Sequence, residues 1–167
     1  MSVSAAKCLK IIILIFVLAC NSSTAKEVVS VDRDFRVSRD FNPIMLSKTD
    51  REVARVYFDG FKRAPSKDVD ILNQIATDTL TSKVILAPAK DQANYIVQMI
   101  MSEIPNYAIK NTEGKAARGF ILIAICRLPL SSSPKDCENL TYHYFRDYES
   151  AALLRIVLSR WMRSVFP

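Results

Sequence analysis

Glycine is nearly absent: three residues in a chain of 167, Gly60, Gly114 and Gly119. A phosphate-cradling loop, a dinucleotide fingerprint and a nucleophile elbow each need glycines at closer spacing, so none can be built. "GKAARG", residues 114–119, lacks both the upstream glycine and the Ser or Thr after the lysine that a P-loop requires, and reads as a basic hairpin turn. Histidine occurs once, as His143, so an acid/base or triad role would rest on that imidazole alone. One histidine beside so few cysteines also fills no tetrahedral zinc site. The sequence therefore shows no catalytic, cofactor-binding or metal-ligating constellation.

Acidic residues are missing before Glu27. In that stretch Lys7 and Lys10 precede an apolar run, Ile11 to Ala19, followed by small polar residues. This is the pattern of a secretory signal, and the run is too short for a membrane span of about 20 residues. Two cleavage sites compete. Val17-Leu18-Ala19-Cys20 approximates a lipobox, giving a signal of residues 1–19 and a lipid on Cys20. Ser23-Thr24-Ala25 offers an ordinary small-x-small site, giving a signal of residues 1–25. Either predicts a periplasmic or extracellular protein, outer-membrane anchored if lipidated, touching membrane only through Cys20.

Loss of residues 1–25 removes two lysines, taking the formal net charge from +6 to +4. The remaining basic residues are interleaved with acids, as in "VDRDFRVSRD", and form no nucleic-acid stripe. Cys8 leaves with the signal and Cys20 leaves or is acylated. The remaining pair, Cys126 and Cys137, is expected to form a disulfide in an oxidising compartment, stabilising the fold by roughly 2–3 kcal/mol. Asn139-Leu140-Thr141 is a glycosylation sequon, a triplet that also arises by chance.

Residues 26–50 mix charge with isolated apolar residues and read as an arm or tether, with "KEVVSV" a short edge strand at most. Residues 51–167 read as a single domain. "REVARVYFDGF" predicts a strand ending at an Asp59-Gly60 turn. Ser66 is placed to cap a helix whose apolar stripe is Val69, Leu72, Ile75, Ala76, Thr79 and Leu80. "VILA", "NYIVQMIMSEI" and "RGFILIAIC" predict strands, the last two buried on both faces. In "NLTYHYF" both alternating sets carry aromatics, which leaves the core-facing side open. A closing helix from Asp147 or Ser150 presents Leu154, Val157, Leu158, Trp161 and Val165 on one face. The expected fold class is α+β: a mostly antiparallel sheet of about 4–6 strands with two helices packed on one face.

In residues 71–101 a helix leads to a short strand, then a polar turn, then an Ala93-Asn94-Tyr95 step that opens a second strand. This order resembles the CsgG and TolB amino-terminal type of α/β domain and several small envelope lipoproteins. The glycine such domains often place in the second strand is missing, with Gln98 and Met99 near that point. The resemblance implies a cell-envelope assembly or binding domain and transfers no functional residue. The reading that follows is an exported protein acting by protein–protein contact, as an accessory subunit of an envelope assembly. Tyr142, His143, Tyr144 and Trp161 are its candidate interaction residues. The alternative is a small secreted hydrolase or inhibitor-like effector using His143 and nearby carboxylates.

Overall fold

The computed structural model describes residues 27–40, 44, 54–65, 67–104, 107–129 and 136–165. The leader, Cys20 and Ser66 lie outside them. A seven-stranded sheet carries β1 (Glu27–Val31), β2 (Phe35–Asp40), β3 (Arg55–Arg63), β4 (Ile85–Leu86), β5 (Tyr95–Ser102), β6 (Gly119–Arg127) and β7 (Cys137–Tyr144). Helix α1 (Val69–Thr81) follows β3, and α2 (Ser150–Val165) follows β7. The strand order is β1-β2-β7-β6-β5-β3-β4.

The α+β class and the two helices match expectation, whereas the sheet is larger and mixed. Strand β3 runs parallel to both β4 and β5, because α1 carries the chain back along the sheet before it re-enters. The other pairings are antiparallel. The segment expected to be an arm supplies β1 and β2, and β2 pairs along its length with the central β7. Phe35 and Val37, isolated among charges in the sequence, alternate inward and are buried in the core. Asp59-Gly60 is no terminus. Gly60, at φ 72°, sits where the β3–β5 register shifts, and β3 continues to Arg63.

Helix α1 buries Leu72, Ile75, Ala76 and Leu80, and α2 buries Leu153, Leu154, Val157, Leu158, Trp161, Met162 and Val165. These pack on Val97, Met99 and Met101 of β5, Ile121, Ile123 and Ile125 of β6, and Leu140, Tyr142 and Tyr144 of β7. That contact settles the open question of β7: its even-numbered side chains face the helices. Burying a side chain of this size contributes about 1.5–3 kcal/mol, so this one face carries most of the hydrophobic stabilisation. The odd-numbered side chains, Asn139, Thr141 and His143, occupy the opposite face and are also buried.

The Ala93-Asn94-Tyr95 step works as a stitch. Asn94 Oδ1 accepts from Arg55 N at 3.0 Å and Asn94 N donates to Arg55 O at 2.8 Å. Asn94 O accepts from Leu128 N at 2.7 Å. One residue thus ties the entry of β5 to the entry of β3 and the exit of β6.

Candidate functional site

The β2–β7–β6 strip has two differently built ends. At the first, Cys126 and Cys137 are direct cross-strand partners, 4.0 Å apart at Cα and joined by a disulfide of 2.13 Å, as the cysteine arithmetic predicts. Its sulfurs lie on the face away from the main core, in a small cluster with Ile96, Tyr57 and Leu128. Glu138, the next residue, points to the helix face and is only 2% exposed. Its Oε1 pairs with Arg39 Nε at 2.8 Å and its Oε2 accepts from Ile44 N at 2.6 Å. Burial pushes the Glu138 carboxyl above its ordinary range despite both partners.

At the second end the β1–β2 turn spends each of three consecutive charges on a different element. Asp32 pairs with Arg160 of α2 at 2.9 Å, Arg33 with Glu113 at 3.1 Å, and Asp34 with Arg146 at 2.8 Å. Arg160 also lies 4.3 Å over the Phe35 ring, which stacks on Tyr148 with centroids 5.9 Å apart. Asn111 fixes the neighbouring turn. Its Nδ2 donates to Arg33 O at 2.7 Å, while its Oδ1 accepts from the backbone N–H groups of Glu113 and Lys115. Gly114, at φ 76°, completes that turn, in keeping with the hairpin reading of "GKAARG".

These braces frame a cleft of about 700 Å³, within the usual range for a ligand pocket. Glu103, Tyr107, residues 115–118, Tyr144, Phe145, Asp147 and Tyr148 line it. Gly119 is the cross-strand partner of Tyr144. A Cβ at Gly119 would overlap the Ser102 carbonyl oxygen and the Tyr144 hydroxyl. Its absence lets the Tyr144 ring lie across β6 and donate its hydroxyl to Ser102 O at 3.3 Å. Burial, then the fields of Glu103 and Asp147, push the Tyr144 phenol up to about 12. Of the lining residues Tyr107 is 76% exposed.

The residues expected to form an interaction surface do not lie together. Tyr142 and Trp161 are 2% and 0% exposed in the helix-side core, because the apolar alternation of β7 and the stripe of α2 meet there. Tyr144 is buried as well, although it contributes to the cleft lining. His143 projects from the opposite face beside Phe120, with ring centroids 6.1 Å apart. It therefore points away from Glu138, and the strand does not bring these two together as an acid/base pair. Asn139 of the sequon is a buried residue of β7. Among the described residues no cluster of three His, Cys, Asp or Glu could hold a metal ion, and no helix is long and apolar enough to cross a membrane.

Sequence reasoning missed Glu103, Tyr107, Lys115, Arg118 and Asp147 because they come from separate loops. The one signal available was Gly119 before an all-apolar strand, a position where a side chain must be excluded.

These features define a class: a small α+β domain with helices on one face of a mixed sheet, a cross-strand disulfide at one end and an aromatic, charged cleft at the other. No known protein family and no curated protein matches the sequence. Among solved structures, the chain is similar to PelC from Paraburkholderia phytofirmans, a dodecamer, at TM-score 0.45 and 12% identity over 78% of this chain and 96% of that one. It is also similar to a DUF4136 family protein from Bacteroides thetaiotaomicron, at TM-score 0.48 and 10% identity over 80% and 97% of the two chains. A PDZ domain protein from Parabacteroides distasonis follows, at TM-score 0.40 and 12% identity, covering 88% of this chain and 38% of its own. At these values the likenesses assign no activity.

Proposed function

We propose that this chain is an exported cell-envelope protein that works by contact with another protein, as an accessory subunit of a larger assembly. The observation that carries the reading is the cleft. It combines the exposed Tyr107 ring with a lining of hydroxyl, carboxylate, ammonium and guanidinium groups, the mixture typical of a contact surface. Among the described residues no nucleophile is held against a base there, and no observation favours the hydrolase alternative. Export is supported by the Cys126–Cys137 disulfide, since such bonds persist in oxidising compartments. It also agrees with the leader pattern, whether cleavage follows Ala25 or leaves a lipid on Cys20. Strand β1 starts at Glu27, opposite Arg39 and so at the disulfide end.

The test is photo-crosslinking of the exported protein in intact envelopes, with the reactive group at Tyr107 or, as control, at exposed Lys83. A discrete protein adduct from position 107 and not from position 83 is expected. No adduct, or the same adducts from both positions, overturns the reading. Intact mass of the same material fixes the cleavage site and any lipid.

A further inference from the structure

We propose that the sheet face turned away from the helices docks a second copy of this chain, about a two-fold axis running along the row Ser38, Thr141 and Leu122. None of these residues lines the cleft, and the proposal does not rest on the protein-contact reading above. Both described helices pack on the other face. A sheet face meant for water alternates with a buried one along each strand, polar against apolar. Strand β6 does not alternate: it turns Phe120, Leu122 and Ala124 to this face, half-buried or buried. Beside them β2 and β7 place polar groups shielded from water. Ser38, Thr141 and Asn139 are 3%, 3% and 5% exposed. Ser38 Oγ, Thr141 Oγ1 and Asn139 Oδ1 have no hydrogen-bond partner among the described residues. Buried polar atoms are nearly always paired, so this patch marks a place where partners have yet to arrive.

The strand register identifies those partners. Ser38 lies opposite Thr141, and Thr141 opposite Leu122. Two residues along in one direction, Arg36, His143 and Phe120 form a second row on the same face, and two along in the other, Asp40, Asn139 and Ala124 form a third. A two-fold axis in the interface plane, along the middle row, reverses the strands and lays each outer row over the other. Arg36 then faces Asp40, His143 faces Asn139, and Phe120 faces Ala124. Opposite charges meet, a ring N–H meets the unpaired Asn139 Oδ1, and the bulkiest side chain meets the smallest. On the axis each residue meets its own copy. This suits Ser38 and Thr141, because a hydroxyl both donates and accepts. Stacked sheets keep their strands within about 30° of each other, so the match holds near the axis. An apolar partner would leave both hydroxyls and Asn139 unpaired.

The test is sedimentation equilibrium of the exported protein over a concentration series, with the variants Arg36→Glu and Asp40→Arg. Wild type should dimerise. Each variant puts two like-charge contacts into the symmetric interface and should weaken the dimer about ten-fold. An equimolar mixture of the two variants should restore it as a mixed pair, since each supplies the charge that the other has lost. Such rescue cannot arise within one chain, because Arg36 and Asp40 stand about 13 Å apart along an extended strand. Leu122→Cys gives a readout independent of charge. On the axis, two copies should be joined by a short bismaleimide, whereas exposed Lys83→Cys should not be. A monomer at every concentration overturns the proposal. If the Leu122→Cys thiol is then unreactive, the chain covers this face itself; if it reacts, the face stays open. A dimer that neither charge variant weakens also overturns the proposal, as does a dimer that Leu122→Cys fails to link.

Discussion

The two ends of the β2–β7–β6 strip each hold a carboxylate–guanidinium pair of almost the same length, and the two pairs behave oppositely. Glu138 meets Arg39 at 2.8 Å and Asp32 meets Arg160 at 2.9 Å. Glu138 is 2% exposed and its pKa is raised, because burial outweighs the Ile44 N–H and Arg39 together. At Asp32 burial is again the largest single influence and pushes upward. Asp32 is 44% exposed, however, and the Phe35 N–H, Arg160 and the Asp34 N–H together outweigh burial, so its pKa is lowered. Contact distance does not set the sign. Water access and the number of donors do.

The largest effect should come from breaking the buried pair. Glu138→Ala leaves Arg39 and the Ile44 N–H without their acceptor and should cost about 3 kcal/mol in urea unfolding. Glu138→Gln, which keeps an acceptor, should cost less. A loss below about 1 kcal/mol for the alanine variant would show that this end is wetter than its burial implies. Next, replacing Cys126 and Cys137 together by serine should cost roughly 2–3 kcal/mol from loop entropy. The double variant should keep the Glu138 pair, so its native spectrum should match wild type at low denaturant.

At the cleft end Gly119→Ala should cost about 1–3 kcal/mol by overpacking against Ser102 and Tyr144. Adding Tyr144→Phe should recover only part of this, since the Ser102 backbone remains in the way. Thermal melts of the single and double variants distinguish the two sources.

The smallest effects are the pH slopes, and they should have opposite signs. With its folded pKa raised, Glu138 contributes stability that is present below its unfolded value near 4.5 and is lost as pH rises through the folded value. Asp32, with its pKa lowered, contributes stability that is present above 3.8 and is lost as pH falls through its folded value. Glu138→Gln should flatten the decline above pH 4.5, and Asp32→Asn the decline below pH 3.8. Neither substitution should alter the other's slope, because the sites occupy opposite ends of the strip. If one did, the two ends would be coupled and the contrast would fail.

Much of the helix-side core was legible because it follows local periodicity. The stripes of residues 69–81 and 150–165, the apolar runs of β5 and β6, and the Cys126–Cys137 pair all declare themselves within a few residues. Strands β1 and β2 did not. "VDRDFRVSRD" looks like a solvated tether, and its charges make sense only beside Arg146, Arg160, Glu113 and Glu138, which arrive much later in the chain. Tyr142 and Trp161 looked like contact residues for a related reason. Aromatic composition is the same in a core and at an interface, and only burial separates them.

The sequence by itself determined the two helices, the apolar strands β5 and β6, the helix faces that are buried and the cysteines available to cross-link, since these depend on spacing along one chain. Tertiary structure alone decided that β3 lies parallel to β5, that the charged arm is sheet, and that Glu103, Lys115 and Tyr144 line one cleft. Those outcomes depend on which distant segments come to share a desolvated space, and there a charge's partner and its access to water are set by packing rather than by its neighbours in sequence.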